Sequence, residues 1–577
     1  METNETNEKK IEAKSGGGRS SLVKKGLFLS VLTLFSRILG LVREMTKAHF
    51  MGTSSYSDAF GVAFMIPNLF RRLFAENSIS VAFIPTFKGY LEDCDSPEGK
   101  KTTQEFVSAT FTLVSFLTVC FVTVGIIFAP LILRIFYKEA DAESMNEAII
   151  LTRIMFPYLI IISIAALFQG ILNGLKIFSP SGFTPILFNG IVILATYILT
   201  PILTALVTGN TEDLGSWTYW KLILTGNIDD PKVQQMAARS MSIGVITGGL
   251  VQTLFQLPFV LKNNWKITFI SLRKTFSNPG TKKVLKLIGP TIIGMAAYQL
   301  NDIVSSALAT RTGAGVYSSL NYSLRLQELI LGICAVTIGT VILPDLTGFA
   351  KKNDWANFNE MLTQSVRIMA FISIPITFYA LCMDENLIKL VFSTGRFDES
   401  SAEMTVNVFR FHIIGLFFIA VNRVITPSFY AQLDSISPTI AGLINFALNM
   451  ALAFILVKPM GGPGIALALT ISSFFNTVAL FIFLRKNKNI DVGKTVASTL
   501  LYSLRMVVFS VVASVPVLLL RGKILALFDG HSRWISQGLP VIITAAMFAL
   551  IGLGLMALTR DPLLKSVARK FKRKGHL

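Results

Sequence analysis

Six charged residues interrupt two stretches of chain that are otherwise apolar enough for a lipid bilayer: Arg37, Arg43, Asp58, Arg71, Arg72 and Glu76, all between residues 36 and 85. An arginine at mid-membrane costs about 2.5–3.5 kcal/mol on insertion scales, so a group of them must face a hydrated cavity or find partners. A third apolar stretch, NYSLRLQELILG, adds Arg325 and Glu328. Guanidinium groups suit phosphate, because the planar fork of donors grips two oxygens at once and its charge persists in a low-dielectric chamber. These residues therefore predict a cationic chamber inside a helix bundle, built for an anionic ligand. Two other readings stay open. Arginines near helix ends reach back to headgroups, and Arg72 with Glu76 has the four-residue spacing of a self-neutralising helical pair. Glu44, seven residues after Arg37, lies on about the same helix face. Glu44 and Glu76 would either neutralise the arginines until a ligand displaces them or form permanent salt bridges.

A second polar cluster is Asn445 and Asn449, four residues apart and near Thr470 on the next helix. Their oxygens are candidate ligands for a monovalent cation such as Na+. Interhelical hydrogen bonding is the plainer account of the same residues. The cysteines Cys94, Cys120, Cys334 and Cys382 and the four histidines are scattered, which predicts neither a disulfide framework nor a zinc site. No Walker-type phosphate loop is present, so no nucleotide cofactor is expected; Na+ and the membrane potential are the candidate energy sources. A membrane-embedded glycosyltransferase is the rival from another class. It would need an activating acid beside a basic diphosphate site, whereas the 209–240 loop offers Glu212, Asp213, Asp229 and Asp230 without one.

Membrane helices must position these charges. The chain has 577 residues, of which 52% are hydrophobic and 15% charged, with a mean hydropathy of +0.60; this is the composition of an all-α polytopic membrane protein. The formal net charge of +19 sits in short loops between apolar runs, as membrane orientation requires, and a nucleic-acid partner is not expected. Runs long enough to span recur between residues 28 and 558 and predict about 14 transmembrane helices. Basic segments at Lys262–Lys286 and Arg485–Lys494 fall on the side of the N-terminus, and the acidic turn Glu139–Glu143 on the other. Both termini are thus expected in the cytoplasm. FIPTFKGY at 83–90 is echoed by ILPDLTGF at 342–349, and LKIFSP at 175–180 by LDSISP at 433–438. The matches predict a duplicated six-helix unit. An even number of spans keeps the copies parallel, as two lobes around a central cavity, with two C-terminal helices added. The expected division is a disordered cytoplasmic tail at 1–26, an N-lobe at 27–262, a C-lobe at 263–486, and two helices with a basic tail at 487–577. Between the fifth and sixth spans, the patch Trp217, Tyr219, Trp220 and Leu222 predicts a short interfacial helix.

SRILGLVRE, the SDAF turn and IPNLFRRLFAENSISVAFIP resemble the first two helices of the MurJ/MviN family, the lipid II flippases of the multidrug/oligosaccharidyl-lipid/polysaccharide exporter superfamily. The resemblance implies a transporter, not an enzyme, working by alternating access in the bacterial cytoplasmic membrane. Its cargo would be lipid II, an undecaprenyl-diphosphate-linked sugar-peptide, and its company membrane lipids and the cell-wall synthesis machinery. It makes Arg37, Arg43, Asp58, Arg72 and Arg325 the required set, Arg71 completes the double arginine, and their ligand is the diphosphate. The family often places Asp before the eighth-helix arginine, where this chain has Leu324, and Glu328 is the acid available instead. Some members hold sodium between the seventh, eleventh and twelfth helices. Here Ser305 takes the place of the expected carboxylate and Asp302 is offset from it. Another polyprenyl-diphosphate-linked glycan is the alternative cargo.

Overall fold

A computed structural model describes residues 31–73, 82–137, 140–226 and 230–564, with the backbone alone at 289–300, 302 and 333–341. Glu76, Cys334 and the 1–26 tail lie outside what is described, the cysteine by its side chain. Helix α1 covers residues 31–51. It is followed by α2 (Ser55–Phe70), α3 (Ile84–Glu92), α4 (Pro97–Phe136), α5 (Ala142–Met155), α6 (Tyr158–Gly174), α7 (Ser179–Thr208), the short α8 (Trp217–Leu224) and α9 (Pro231–Lys262). Then come α10 (Leu272–Ser277), α11 (Pro279–Ala309), α12 (Val316–Lys351), α13 (Trp355–Cys382), α14 (Asp384–Phe392), α15 (Glu399–Ile414), α16 (Leu416–Ala431), α17 (Ile436–Met460) and α18 (Gly462–Leu484). Helices α19 (Val492–Leu527) and α20 (Leu539–Leu558) end the series. The described residues contain no strand.

Local chemistry sets the boundaries. Ser96, Asp141, Asp230, Asn278, Asp354, Asp398 and Asp491 each precede a helix and accept one of its first backbone N–H groups, the donors that no intrahelical carbonyl can satisfy. The apolar run at 145–173 is divided between α5 and α6 at Phe156 and Pro157, where proline has no N–H to continue the ladder. The run at 404–431 is also broken, with a 44° bend between α15 and α16. That bend falls at Gly415, not at Pro427. A Cβ at Gly415 would lie 2.5 Å from the Thr470 hydroxyl, so the break sits at a close approach of α18.

Helices α6 and α16 end in the same way. Lys176 and Leu433 both adopt left-handed φ of 62°, and the following N–H groups of Ile177 and Asp434 return to Leu172 O and Phe429 O at 2.8 and 3.0 Å. This is a Schellman-type cap. The structural equivalence therefore runs one residue out of register with the match of LKIFSP to LDSISP.

Among the described residues each expected run falls on a helix or a broken pair, but the number that qualify as spans is smaller. Among the described residues nine helices are long and apolar enough to cross a membrane, or ten with α15 and α16 taken together. The remaining four runs lie on α1, α2, α11 and α12. Two of these, α1 and α2, carry charges inside their apolar runs, and α11 and α12 pass through positions whose side chains are not described. The interfacial patch folds as α8, held to α7 by the Tyr219 hydroxyl donating to Pro201 O at 2.8 Å.

Packing follows two groups. Helices α2, α4, α5, α6, α7 and α9 pack on one another; α12, α13, α15, α16, α17 and α18 form the second group, with α19 along α13 and α20 along α19. Glycines at 244, 248 and 249 let α9 lie close against α7 and α6. Contacts of the first group continue past Lys262, because Gln104 on α4 exchanges two hydrogen bonds with the backbone of Lys266, at 2.7 and 3.0 Å. Leucine, isoleucine and valine side chains of α4, α17, α19 and α20 are exposed all along the outside. In water that surface would be untenable; in lipid it is the solvated face.

Candidate functional site

Between the two groups lie two adjoining compartments of about 260 and 480 Å³, which share Arg43, Phe64, Asn68, Arg72, Arg325 and Glu328 in their linings. The smaller also takes in Glu44, Lys47 and His412. The larger takes in Arg37, Arg71 and Arg423. Guanidiniums from α1, from the turn that continues α2, from α12 and from α16 thus face one polar space.

Glu44 is the anionic centre of the small compartment. Its Oε1 accepts from Arg43 Nη2 at 2.8 Å and lies 3.9 Å from Arg325 Nε. Arg43 also donates to Asn189 Oδ1 at 3.3 Å and lies over the Phe64 ring. Arg325 Nη1 is held by Glu328 Oε2 at 2.9 Å, one turn along α12. Arg37, which shares a face with Glu44, instead sends Nη1 to the backbone oxygen of Glu328 at 3.4 Å. It lies flush against Gly332, where a Cβ would come within 2.1 Å of that same nitrogen. Arg71 donates through Nε to Asn68 Oδ1 at 3.0 Å. Arg71 and Arg72 sit at residues 71–73, where the helix widens into a π-type turn, a local unwinding that recurs at functional sites.

Asp58 is placed elsewhere. It is 1% exposed, and its carboxylate accepts from Gly315 N at 2.6 Å, Ser318 N at 2.9 Å and Ser318 Oγ at 2.6 Å. Asp58 therefore caps the first turn of α12 from α2 and does not line either compartment. The second polar cluster, Asn445, Asn449 and Thr470, is divided. Asn449 Nδ2 donates to Asn301 Oδ1 on α11 at 2.6 Å, whereas the Thr470 hydroxyl donates to Phe411 O on α15 at 2.6 Å. Asn445 Oδ1 and Asn449 Oδ1 are buried without a hydrogen-bond partner among the described residues. No hydrogen bond joins Asn445, Asn449 and Thr470 among the described residues. No group of His, Cys, Asp and Glu there has the arrangement of a metal site.

Two cations escaped the sequence reading. Lys47 is 3% exposed, with its ammonium 4.8 Å from the Tyr322 ring centroid, and Arg423 interrupts the apolar run of α16. Both could have been found: Lys47 lies one turn after Arg43, and Arg423 breaks an apolar stretch as Arg325 does. Asn189 and Gln252 gave no signal, since single amides in membrane helices are unremarkable until a neighbour is known.

At the end of the bundle holding the α1–α2 turn, the two groups meet backbone to backbone. Arg396 N donates to His49 O at 2.8 Å, His49 Nε2 to Leu224 O at 2.9 Å, and the hydroxyls of Thr53 and Ser401 lie 2.8 Å apart. Gly395 (φ 55°) and Gly315 (φ 82°) permit this approach, because a Cβ would fall 2.3 Å from His49 O and 2.2 Å from Thr53 O respectively. Arg37 on α1 and Asn68, Arg71 and Arg72 at the end of α2 lie toward the ends of those helices away from this contact, and Arg325 and Glu328 face them from the first half of α12.

Three comparisons with known proteins bear on the chain as a whole. A family model described as "Lipid II flippase MurJ" matches residues 47–536. The chain is 42% identical over 545 residues to a probable lipid II flippase MurJ of Treponema pallidum, covering 94% of this chain and 97% of the relative. It is 29% identical to the corresponding protein of Vibrio cholerae, covering 95% and 97%. A solved structure described as "Lipid II flippase MurJ, inward closed conformation" superposes with a TM-score of 0.70 at 23% identity, over 93% of this chain and all of that one. An inward-facing multidrug resistance MATE family transporter of the MOP superfamily gives 0.60 at 13% identity, over 80% and 95%. Both superpositions show a shared fold.

Proposed function

Since the chain belongs to the MurJ family of transporters, we propose that it is a multi-pass membrane flippase that carries lipid II from the cytoplasmic to the outer leaflet. The observation that carries this reading is the convergence of Arg37, Arg43, Arg71, Arg72 and Arg325 on one polar space inside a bundle whose outer surface is apolar. A diphosphate has only acceptor oxygens and at least two negative charges, and guanidiniums offer only donors. The diphosphate enters beside Arg37 and Arg71, draws Arg43 and Arg325 away from Glu44, and leaves the polyprenyl chain in lipid. The sealed end at His49–Gly52 and Gly395 opens for release while the arginine end closes, which is alternating access. Both termini lie in the cytoplasm in this reading, as the basic loops favour. The return of the empty, positively charged cavity is driven by the inside-negative potential. A monovalent cation held by Asn445 Oδ1 and Asn449 Oδ1 is the second source of coupling, favoured by the lack of another partner for those buried oxygens among the described residues.

The test uses purified protein in vesicles loaded with labelled lipid II, reading headgroup access to an impermeant reagent. Wild type is expected to expose the label. Arg72→Ala, folded as judged by its thermal midpoint, is expected to slow exposure at least tenfold. Unchanged transport by that variant would remove the diphosphate role from Arg72. Omitting Na+ should leave exposure unchanged if the potential alone drives the cycle.

A further inference from the structure

We propose that the wall of the larger compartment built by α6, α7 and α9 recognises the uncharged sugar portion of a lipid-linked cargo. The inference rests on the cargo class argued above and adds the surface that tells a glycan-bearing lipid from a bare diphosphate. Charge is segregated in this compartment. Its cations come from α1, the α2 turn, α12 and α16, whereas α6, α7 and α9 contribute Gln169, Thr184, Gln252 and the rings of Tyr158 and Phe188.

Gln252 is the telling residue. It is 8% exposed and lines the compartment, yet no hydrogen bond to its side-chain amide exists among the described residues. Its amide atoms are not sealed in the core, so the group opens into the compartment, where water or a ligand takes the partner's place. Gln169 lines the same wall, and its amide is likewise without a protein partner among the described residues. Next to Gln252, Gly249 and Gly248 let the aromatic rings approach α9 closely: a Cβ would come within 2.7 Å of the Tyr158 ring and 3.1 Å of the Phe188 ring. The two rings are 5.6 Å apart between centroids, inclined at 36°. Both rings are buried, Tyr158 3% and Phe188 8% exposed, so they fix α6 and α7 against α9 and leave the uncharged amides of this wall to confront the guanidiniums across the compartment.

That combination matches a sugar ring. The hydroxyls of a pyranose ring must both donate and accept. Arginine can only donate, so a hydroxyl needs the amide oxygen and N–H of glutamine to be satisfied on both counts. A site built to pair with hydroxyls discriminates against an analogue that lacks them, because its polar groups are then left unpaired.

The experiment measures the affinity of the full-length protein in nanodiscs for two probes, lipid II and undecaprenyl diphosphate, the second lacking sugar. Gln252→Leu is expected to weaken binding of lipid II about threefold to tenfold, the loss of one neutral hydrogen bond, and to leave undecaprenyl diphosphate unchanged. Gln169→Leu should act in the same direction, and Gln252→Asn should recover part of the loss. The ratio of the two affinities within one variant is insensitive to a reduced folded fraction. Equal weakening of both probes, or no change in either, overturns the sugar site. Arg72→Ala separates this inference from the reading beneath it, since it should weaken both probes alike. If it weakens neither, the diphosphate role fails while the glutamine result stands.

Discussion

Glu44 holds two guanidiniums from different helices, Arg43 at 2.8 Å and Arg325 at 3.9 Å, and this makes the cavity stable without cargo. Removing one partner from a buried ion pair leaves an uncompensated charge, a loss of about 3–5 kcal/mol. The Glu44→Gln protein is therefore expected to unfold at lower temperature when empty, and to regain more stability than wild type on adding undecaprenyl diphosphate, which takes over the role of the carboxylate. Equal ligand-induced shifts in both proteins would show that Glu44 does not occupy the anion's place. Asp58 carries the opposite expectation. Its three accepted hydrogen bonds tie α2 to the start of α12, so Asp58→Ala should lower the thermal midpoint while leaving affinity for the same lipid within twofold. A large loss of affinity at unchanged stability would reverse that assignment. The sequence distinguished these two acids poorly. Both are carboxylates in apolar runs, and what separates them is the partner: a guanidinium for one, the N–H groups of a helix start 257 residues away for the other.

At the scale of elements, apolar runs alone located the helices, because a bilayer demands about 20 apolar residues per span and permits little else. Where the chain departs from that demand, the runs were harder to count: α1 carries Arg37, Arg43, Glu44 and Lys47 within one helix. The bend at Gly415 was not legible as a bend, since it depends on α18 lying against it. The sealed end was equally hidden. Its closure depends on glycines in loops distant in sequence, and Gly315 shows the requirement most plainly, with a left-handed φ of 82° and Thr53 O in the space a Cβ would fill. Gly315→Ala is thus expected to part the α1–α2 turn from α12 and favour opening at that end. In a chain freed of its four cysteines, Asn321→Cys in the small compartment should then react faster with an impermeant maleimide supplied from the outer side than it does with Gly315 in place. Unaltered reactivity would mean that this contact does not hold the end shut.

For the molecule as a whole, the balance of charge inside the bundle sets how transport responds to a membrane potential. The two compartments are lined by Arg37, Arg43, Lys47, Arg71, Arg72, Arg325 and Arg423 against Glu44 and Glu328. The empty cavity is therefore net positive, and a bound diphosphate offsets about two of those charges. Carrying one elementary charge across 100 mV changes the free energy by about 2.3 kcal/mol, close to fiftyfold in an equilibrium constant. An inside-negative potential thus favours the conformation that faces the cytoplasm when the cavity is empty, and it opposes the outward step less once cargo has neutralised part of the charge. In vesicles, sustained flipping of lipid II should accelerate as an inside-negative potential is imposed, and Arg423→Gln should reduce the steepness of that dependence by removing one moving charge. A rate indifferent to the potential would mean that the arginines stay fixed relative to the field while other groups move, and the coupling would then have to come from a bound cation.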